Sequence, residues 1–556
     1  MNRGVLIAAL IAVTPVVYAG GFEIPDNGTE ALARGGAFTA KADDATALQY
    51  NVAGLARQRG TRLVFDGNLV LATMELQRAG SYPDANTPAT PWGGQPFPLT
   101  RNTGGAFFAP FLGVSSDFRL DRWTFSVGVF GPSSVGNRTY PLSVGGLPNP
   151  ARYDVVQALP LLMLPTAAVA VRLARWLDLG VALHVAVARF DLTSVSFTDI
   201  SKAVCPNPEY QPCDSVNKLT TTGATATGAL GLLVRPVRWW ALGVNVRGPI
   251  YLNTSGTVNA QAPSALPMKI DPAPASFTTN LPWVVRAGTR LILARDSDFE
   301  VADLELDGTW ENWGAAQADG PKVSIPALSL FQDIHPTIAH HYHDTFSLRL
   351  GGAYNLALPA GVLSFRLGAY YDSSATDARD TRLDFDTLTK IAVTAGLGYA
   401  VKGFTLDFAY AYVYELDRLV TDGDIRPVNG AQHGDSVDDM GNPLAPVNNG
   451  KYHAQTHILS FGVSFRFDEL LGRKPRPSWS EERRAATPAR PRLARAAARP
   501  SEAEDAAVAV DAPPAASAVA PSSDDGMTFA PEPVSHGKHR AAPKKKRTKR
   551  QARRTR

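Results

Sequence analysis

The sequence predicts an all-β protein, namely a 14-stranded antiparallel transmembrane β-barrel that is plugged by an N-terminal hatch and followed by a disordered C-terminal tail. Two observations predict the barrel. Long segments alternate between apolar and polar side chains, and the links between successive segments alternate between short and long. The tail is predicted by a change of composition after Phe467, where aromatic residues almost disappear.

The length and composition bound the class of protein. The chain has 556 residues, of which 45% are hydrophobic and 19% charged, and it contains only 2 cysteines. So few cysteines exclude a disulfide-rich scaffold and a cysteine-based zinc or iron–sulfur centre. No apolar run reaches the ~18–20 residues of a membrane-spanning helix. If the chain crosses a membrane it therefore does so as strands, because only helices and closed barrels satisfy their backbone groups in lipid.

Residues 1–19 have the pattern of a secretory signal peptide. A basic residue precedes an apolar core, and Val17-Tyr18-Ala19 places small residues at the first and third positions before the cut, which suits a signal peptidase. The mature chain is then expected to start at Gly20 in an oxidising compartment. There Cys205 and Cys213 can form a disulfide within an outer loop, and a pair of free thiols is the alternative.

The last predicted strand, His457 to Phe467, shows the alternation most clearly. Apolar residues fall on one face and polar or small residues on the other, and Phe404 to Tyr414 and Phe346 to Tyr354 repeat the pattern. A period of two indicates a strand with one apolar face. Strands of soluble sandwiches are usually only about five or six residues long. Longer segments with aromatic residues near their ends favour outer-membrane strands.

Fourteen such segments are predicted, and residues 62–467 bound the barrel. Their starts lie near Arg62, Arg101, Arg122, Ala151, Trp176, Leu219, Trp239, Phe277, Asp298, His343, Gly361, Thr387, Gly403 and Lys451. Short turns are predicted near Leu120, Arg175, Pro236, Asp296, Leu358 and Val401, with long loops between the other neighbours. This alternation is typical of a barrel with short periplasmic turns and longer outer loops. An even strand number then places both termini on the periplasmic side.

Residues 20–61 are predicted to form the hatch. They contain a helix-like stretch from Asp44 to Ala56, with Asp43 or Asp44 as a candidate N-cap. A barrel of about fourteen strands is too wide for its wall side chains to fill, so it needs either water or a plug. A segment of this size before the first strand suits a plug.

Residues 468–556 are predicted to be a disordered periplasmic tail. Their Ala, Pro, Arg, Glu and Ser composition buries too little apolar surface to offset chain entropy. The basic end, Lys538 to Arg556, attracts polyanions. Behind a secretory signal the expected partners are anionic lipid headgroups or a cell-wall polymer, not nucleic acid. A solvated tail without a dedicated partner is the alternative.

Several motifs, taken together and in order, carry a resemblance to a known family. They are Ala31-Leu-Ala-Arg-Gly-Gly-Ala37, Ala42-Asp-Asp-Ala-Thr-Ala-Leu-Gln-Tyr-Asn-Val-Ala-Gly-Leu-Ala56, Ala151-Arg-Tyr153, Leu304 to Trp313, Asp344 to Tyr354 and Tyr370 to Ser374. Over most of residues 20–467 the chain resembles the outer-membrane long-chain fatty acid transporter (FadL) family, which includes uptake channels for aromatic hydrocarbons. Where the family's plug carries Asn-Pro-Ala, this chain has Asn51-Val52-Ala53.

The resemblance implies a fourteen-stranded barrel closed by an N-terminal hatch, and diffusion of hydrophobic molecules without an external energy source. It also implies capture at the outer loops, a tighter pocket near the mature N-terminus, and sideways release through a gap beside the third strand. Phe22 and Ile24 are the first candidates for ligand contact in that pocket. Packing of Phe22 within the plug is the alternative.

Prolines in adjacent predicted strands suggest where the wall opens. Proline removes a ladder donor, and in a strand it marks an edge or a bulge. Pro110 lies in the second predicted strand, Gly131 and Pro132 in the third, and Pro160 and Pro165 in the fourth, all near mid-height. We interpret these positions as a lateral gate that is kinked at the third strand. Ordinary bulges that curve the barrel are the alternative.

Charged residues recur at inward positions of the eighth to thirteenth predicted strands. By parity these are Arg286, Arg290, Asp303, Glu305, Asp307, Arg349, Arg366, Lys390 and Asp407. Opposite charges on adjacent strands pair favourably and would lock the hatch into the barrel. The alternative role, for Arg286, Arg290 and Arg349, is to bind a ligand carboxylate through charge-assisted hydrogen bonds.

The sequence therefore predicts an outer-membrane passive channel for long-chain fatty acids or similar hydrophobic compounds, with membrane lipid and a hydrophobic small molecule as partners. A general porin and a structural protein tied to the cell wall by its basic tail are the alternatives. No cofactor and no metal is expected, since the loop histidines His335, His340, His341 and His343 are more often solvent-exposed than ligating. An enzyme is not expected: no phosphate loop is present, and the inward His184 lacks a serine motif.

Overall fold

The computed structural model describes residues 27–83, 90–131, 137–198, 203–205, 207–297, 299–318, 320–325, 340–385, 388–429, 434–435 and 444–472. The predictions for the signal peptide, Phe22, Ile24, Pro132, His335 and the tail beyond residue 472 lie outside these residues.

Fourteen strands, numbered β1 to β14, form a closed antiparallel barrel, so the predicted fold class is confirmed. The strands are β1 (Thr61–Arg78), β2 (Thr100–Arg101 and Phe107–Ser116), β3 (Trp123–Val129 and Arg138–Thr139), β4 (Gln157–Met163 and Thr166–Ala174), β5 (Leu177–Phe197), β6 (Asp214–Val237), β7 (Trp240–Arg247 and Ile250–Gln261), β8 (Ala273–Leu281 and Val284–Asp296), β9 (Phe299–Glu311), β10 (Thr345–Leu358), β11 (Gly361–Asp372), β12 (Lys390–Val401), β13 (Phe404–Val420) and β14 (Gly450–Arg466). The barrel closes where β14 pairs with β1, from Arg62 opposite Arg466 to Arg78 opposite Gly450.

The two ends of the barrel differ in the length of their links. At the short-turn end a few residues join β2 to β3, β4 to β5, β6 to β7, β8 to β9, β10 to β11 and β12 to β13, and all six predicted turns lie there. At the long-loop end the links carry small pairings of their own, such as Ser143–Val144 with Leu147–Pro148. Another, Lys322–Ser324, adds to the edge of β8. The alternation of link lengths therefore follows the sequence.

Side chains alternate in burial along the strands. In β5, Leu183 and Val185 are 58% and 41% exposed, whereas Ala182, His184 and Ala186 are buried. The outward positions are apolar in the other strands too, for example Phe461 of β14 at 50% exposure. An apolar outer band of this kind is the surface that a transmembrane barrel presents to lipid.

The helices are short. They are α1 (Thr29–Ala33), α2 (Ala47–Tyr50), α3 (Trp313–Ala316) and α4 (Phe467–Leu470), with 3-10 turns at Val52–Arg57, Gln211–Cys213 and Ala378–Asp380. None of the helices in the described part of the chain combines the length and the apolar composition that crossing a membrane requires.

Two local predictions are wrong in detail. The helix-like stretch from Asp44 to Ala56 is split, because Asn51 is extended (φ −163°) and its side chain bonds to groups outside the helix. Phe467 does not end the last strand but starts α4. The partner strand β1 begins only at Thr61, after Gly60 turns the chain at φ +70°, so the ladder offers no further partner at that point.

Candidate functional site

The described part of the hatch, residues 27–60, is bonded to the inner wall of the barrel, and Arg34 is its central anchor. This side chain is fully buried, and its Nη1 and Nη2 atoms donate to the two carboxylate oxygens of Asp303 in β9 at 3.1 and 2.7 Å. Its Nε atom donates to the carbonyl of Ala37 at 3.2 Å. A bidentate charged pair fixes orientation as well as position. The pair of Arg34 and Asp303 therefore fixes the orientation of this part of the hatch relative to β9.

Two further carboxylates of β9 bind the hatch backbone. Oδ2 of Asp307 accepts hydrogen bonds from the N–H groups of Phe38–Thr39 at 2.9 and 2.8 Å. Oε1 of Glu305 accepts from the N–H groups of Ala40–Lys41 at 2.6 and 3.2 Å. The three acids of β9 that were predicted to face inward, Asp303, Glu305 and Asp307, therefore all bind the hatch.

The three arginines that were candidates for ligand binding are buried on the inner wall and contact protein groups. The contacts are Arg290 with Asp303 and Glu300 at 2.8 and 2.6 Å, Arg349 with Asp372 at 3.1 Å, and Arg286 with the carbonyl of Gln49 at 3.3 Å. Arg366 likewise bonds to Glu30 of the hatch at 3.2 Å. These contacts agree with the interpretation in which the charges fix hatch and wall together. A ligand role for the three arginines stays a prediction.

Asn51, Val52 and Ala53 connect the hatch to the other side of the wall. The Nδ2 of Asn51 donates to the carbonyls of Thr39 and Leu232 at 2.9 and 3.1 Å, and its Oδ1 accepts from the N–H of Ala53 at 3.1 Å. The N–H of Val52 donates to Asn245 at 3.4 Å. A proline at position 52 would have no N–H to donate, so valine adds one bond between hatch and barrel here.

Glycines on the inner wall let the hatch approach closely. Gly351 of β10 and Gly368 of β11 face the backbone of Arg34, and a Cβ atom on either would overlap that backbone. Only glycine fits such an approach without shifting the hatch. Inward glycines within otherwise regular strands are thus a signal, readable from sequence, of where a plug touches its barrel.

A cluster of apolar side chains lines much of the inner wall formed by β2 to β8. Its buried inward side chains include Phe111, Phe130, Leu164, Phe190, Leu219, Leu252 and Phe277. The rings of Phe111 and Phe130 stack with centroids 5.8 Å apart, and those of Phe190 and Phe277 meet edge to face at 4.8 Å. Apolar hatch residues such as Leu48 pack against the same cluster. The lumen therefore has a polar half, from Arg286 and Arg290 of β8 to β13, that makes the charged contacts with the hatch, and an apolar half, from β2 to the first segment of β8, that carries the apolar cluster. Asn51 and Val52 add hydrogen bonds between the hatch and β6 and β7 on the apolar side.

Among the described residues, the ladder between β2 and β3 is interrupted in the apolar half. Pairing runs from Ser116 opposite Phe125 up to Leu112 opposite Val129. It resumes nearer the long-loop end, where the N–H of Thr103 donates to the carbonyl of Thr139 at 2.8 Å. Between these points Phe107–Phe111 pairs with β1 only, within the described residues. We call this stretch, together with Phe130 and Gly131, the β2–β3 interruption.

The predicted gate residues lie at or near this interruption. Gly131 follows the first segment of β3, and Pro110 lies in β2 opposite Gly67 of β1. Pro160 lies in β4 opposite Phe190 of β5, so both prolines keep a strand neighbour on one side. Pro165 occupies the break between the two segments of β4. Whether these residues act as a gate stays a prediction.

The first described residue of the hatch contacts the interruption directly. The Nδ2 atom of Asn27 donates to the carbonyl of Gly131 at 2.7 Å, and the Asn27 side chain is buried. Two residues later, the N–H of Thr29 donates to Asp66 of β1 at 3.0 Å. A displacement of the hatch at its leading end would therefore act on β3 at the point where its pairing stops.

Charged residues also join the loops at the long-loop end. Arg152 is fully buried and bonds to Glu209 and Asp214, each at 2.7 Å, while Arg78 bonds to Glu209 at 2.9 Å. Cys205 and Cys213 form a buried disulfide with Cα atoms 5.9 Å apart. The loop between β5 and β6 is therefore tied to the loop between β3 and β4.

The loop histidines pair with separate carboxylates. His340, His341 and His343 contact Asp384, Asp380 and Asp377 at 2.9, 2.7 and 3.3 Å. Within the described ranges no three side chains of the metal-binding types come together.

The titration of Asp44 in the hatch predicts that the conductance of the channel depends on pH. Burial, with the Glu30 carboxylate nearby, raises the pKa of Asp44 to about 7. The stabilisation from this carboxyl is therefore complete below its unfolded pKa and is lost as the pH rises through about 7. We expect the single-channel conductance of the wild type to increase between pH 5.5 and pH 8, because the hatch is then held less firmly. Asp44→Asn should abolish that increase, and an unchanged pH dependence in the variant would contradict the assignment.

Comparisons with known proteins were made on sequence and on structure. A family model described as "Outer membrane protein transport protein (OMPP1/FadL/TodX)" matches residues 10–467. No curated protein matches the sequence.

Solved structures with the same fold include the following three proteins. A FadL homologue from Pseudomonas aeruginosa shares 16% identity, covering 81% of this chain and 100% of its own, with a TM-score of 0.63. The toluene transporter TbuX from Ralstonia pickettii shares 14%, covering 80% and 99%, with a TM-score of 0.56. The monoaromatic hydrocarbon channel CymD shares 16%, covering 79% and 97%, with a TM-score of 0.55. These likenesses show the fold. The family match shows more, since it spans most of the 556 residues: the chain belongs to the OMPP1/FadL/TodX family of outer-membrane transport proteins, and it is a transport protein rather than an enzyme.

Proposed function

We propose that the protein is a passive channel through which long-chain fatty acids or similar hydrophobic compounds enter across the outer membrane. The observation that carries this proposal is the division of the lumen. The polar half makes the charged contacts that hold the hatch, and the hatch blocks an open aqueous path, whereas the apolar half offers an apolar cluster to a molecule that water excludes. A water-filled porin would need neither.

The proposal includes lateral release into the membrane at the β2–β3 interruption. A hydrophobic molecule that leaves sideways avoids the aqueous periplasm. An opening in the wall is costly wherever backbone groups lose their partners in lipid, and it is least costly where the ladder is already interrupted. Phe111 and Phe130 of the apolar cluster lie at this point, so the apolar wall leads to it.

The proposed orientation places the short-turn end and both chain termini in the periplasm, as is usual for bacterial outer-membrane barrels. The long-loop end then faces outward, where the loops joined by Arg152 and the disulfide would meet the ligand first. The partners proposed are outer-membrane lipid around the barrel and a hydrophobic small molecule within it. Two of the channels with this fold are described as carrying toluene or monoaromatic hydrocarbons, so both arenes and fatty acids belong in the test.

Uptake by a deletion strain tests the proposal. We expect cells that lack the gene to take up labelled oleate or toluene at least about tenfold more slowly than complemented cells, because the outer leaflet is the barrier that the channel bypasses. Purified protein in planar bilayers should show little ion conductance. Equal uptake of both compounds with and without the gene, or a large steady conductance, would contradict the proposal.

A further inference from the structure

His184 of β5 is a buried polar residue that the transport scheme leaves unexplained. It is 1% exposed and faces the lumen between Ala182 and Ala186, both of which belong to the apolar cluster. Its Nδ1 atom lies 2.8 Å from Oγ1 of Thr166 in β4. Its Nε2 atom has no hydrogen-bond partner among the described residues. A buried polar atom without a partner is costly, so its retention calls for an explanation.

The neighbouring hydroxyl determines which ring nitrogen carries the proton. Oγ1 of Thr166 donates to the carbonyl of Leu164 at 3.0 Å. A hydroxyl has a single hydrogen, and the carbonyl can only accept, so when the hydrogen is donated to Leu164 the Thr166 oxygen accepts the bond from His184. Nδ1 of His184 is therefore the protonated nitrogen and the donor.

The ring is neutral in this environment. The described residues place no carboxylate against His184, and a buried imidazolium without a counter-charge would be strongly disfavoured. In a neutral imidazole only one nitrogen carries a hydrogen. Nε2 of His184 is therefore an acceptor with a lone pair, and no group of the described residues donates to it.

The position of this acceptor relates it to the proposed path. The ring of Phe130 meets the His184 ring edge to face, with centroids 6.1 Å apart, and Phe130 is part of the β2–β3 interruption. The N–H of Leu164 donates to the carbonyl of Phe130 at 2.7 Å. Thr227 of β6 lies directly opposite His184 in the ladder and is only half-buried.

We propose that His184 is a specificity-determining residue, and that its Nε2 atom accepts a hydrogen bond from an apolar ligand carrying a hydroxyl donor, such as a phenol, an alcohol or a protonated carboxylic acid. The inference rests on the proposed function, and it narrows the class of ligand. An ionised carboxylate or a plain hydrocarbon has no hydrogen to donate. The apolar wall then selects ligands that are poorly soluble in water, and among these His184 selects ligands that carry a hydroxyl donor.

Three ligands of similar shape test the proposal. They are p-cresol, which donates a hydrogen bond, 4-methylanisole, which can only accept one, and toluene, which does neither. Initial uptake of each labelled compound is measured in a deletion strain that carries wild type, His184→Leu or His184→Gln. The matched control is His457→Leu, because His457 lies on the outward face of β14 beside Tyr410. Heat-dependent mobility in gels shows that each variant barrel is folded.

We expect His184→Leu to lower the uptake of p-cresol relative to toluene by about tenfold, the effect of one hydrogen bond of about 1.4 kcal/mol. Uptake of toluene and 4-methylanisole should not change. His184→Gln, whose Oε1 can accept a hydrogen bond, should restore part of the p-cresol uptake, and His457→Leu should behave as wild type.

The contrary outcomes separate this inference from the function it rests on. An unchanged ratio of p-cresol to toluene would overturn it, because a water molecule would then explain the Nε2 atom. Selective loss of 4-methylanisole would also overturn it, since the proton would then lie on Nε2. If the wild type imported none of the three compounds above the level of the empty strain, the proposed function would fall together with the inference.

Discussion

Replacing Arg34 by alanine is expected to release the hatch while leaving the barrel closed. The substitution removes a partner from two buried carboxylates, Asp303 and Glu305. Removing one member of a buried ion pair costs about 3–5 kcal/mol, because the charge left behind is uncompensated. The Arg34 side chain takes no part in the hydrogen bonds between strands. The lost free energy therefore weakens the attachment of the hatch and not the barrel.

Ion conductance measures this effect. Arg34→Ala should convert a nearly closed channel into one with a large, noisy conductance in planar bilayers, and it should make residues 27–60 accessible to protease. The matched control is Arg379→Ala, which removes an arginine from an exposed pair with Asp424, where the side chains are 52% and 44% exposed. Exposed pairs contribute about 0–1 kcal/mol. A closed, protease-resistant Arg34→Ala channel would show that the hatch is held by other contacts.

Replacing Gly131 and Pro132 by valine is expected to abolish uptake of hydrophobic compounds. The double substitution to valine supplies a backbone donor and two β-branched side chains that favour a regular strand. The carbonyl of Gly131 already binds the hatch through Asn27, so the change alters the proposed exit at its edge. We expect uptake of oleate or toluene to fall at least about tenfold, while heat-dependent gel mobility shows a folded barrel.

The chain contains a matched control for this substitution. Gly248 and Pro249 interrupt β7 opposite Pro282 and Trp283 of β8, but the ladder resumes on both sides, at Arg247 opposite Val284 and at Ile250 opposite Leu281. A Cβ atom at Gly248 would come within 2.9 Å of the Thr227 hydroxyl, and it would lie at ordinary contact distances of 3.6 and 4.0 Å from the Gly228 carbonyl and the Trp283 ring. Valines at 248 and 249 should leave uptake unchanged. Equal loss of uptake in the two double variants would argue against a specific role for the β2–β3 interruption.

The barrel could be predicted from the sequence because its rules are local. Alternation along each strand places side chains such as Glu305 inside and Leu304 outside, and link lengths separate the two ends. Parity was enough to identify the inward charges of β9. It could not show their partners, because the partners lie some 270 positions earlier in the chain: Arg34 and Asp303 are 269 residues apart.

The candidate site was harder to predict for the same reason. Arg34 was part of a recognised motif, yet nothing local distinguishes a buried anchor from an exposed arginine. The acceptor on His184 depends on a hydroxyl in the preceding strand, Thr166, and on a carbonyl, that of Leu164. The split at Asn51 depends on wall groups such as Leu232. In each case the role of the residue depends on tertiary contacts, which cannot be predicted from residue spacing along the chain.

The separation of the lumen into a gripping half and an apolar half has an evolutionary consequence. Substitutions at Phe190, Leu252 or Phe277 can alter the shape of the apolar wall without changing the acids of β9 that bind the hatch. Descendants of one ancestral gene can therefore change the compound that they transport while the hatch stays bonded to β9. In a barrel divided in this way, ligand specificity and closure by the hatch depend on different residues and can evolve separately.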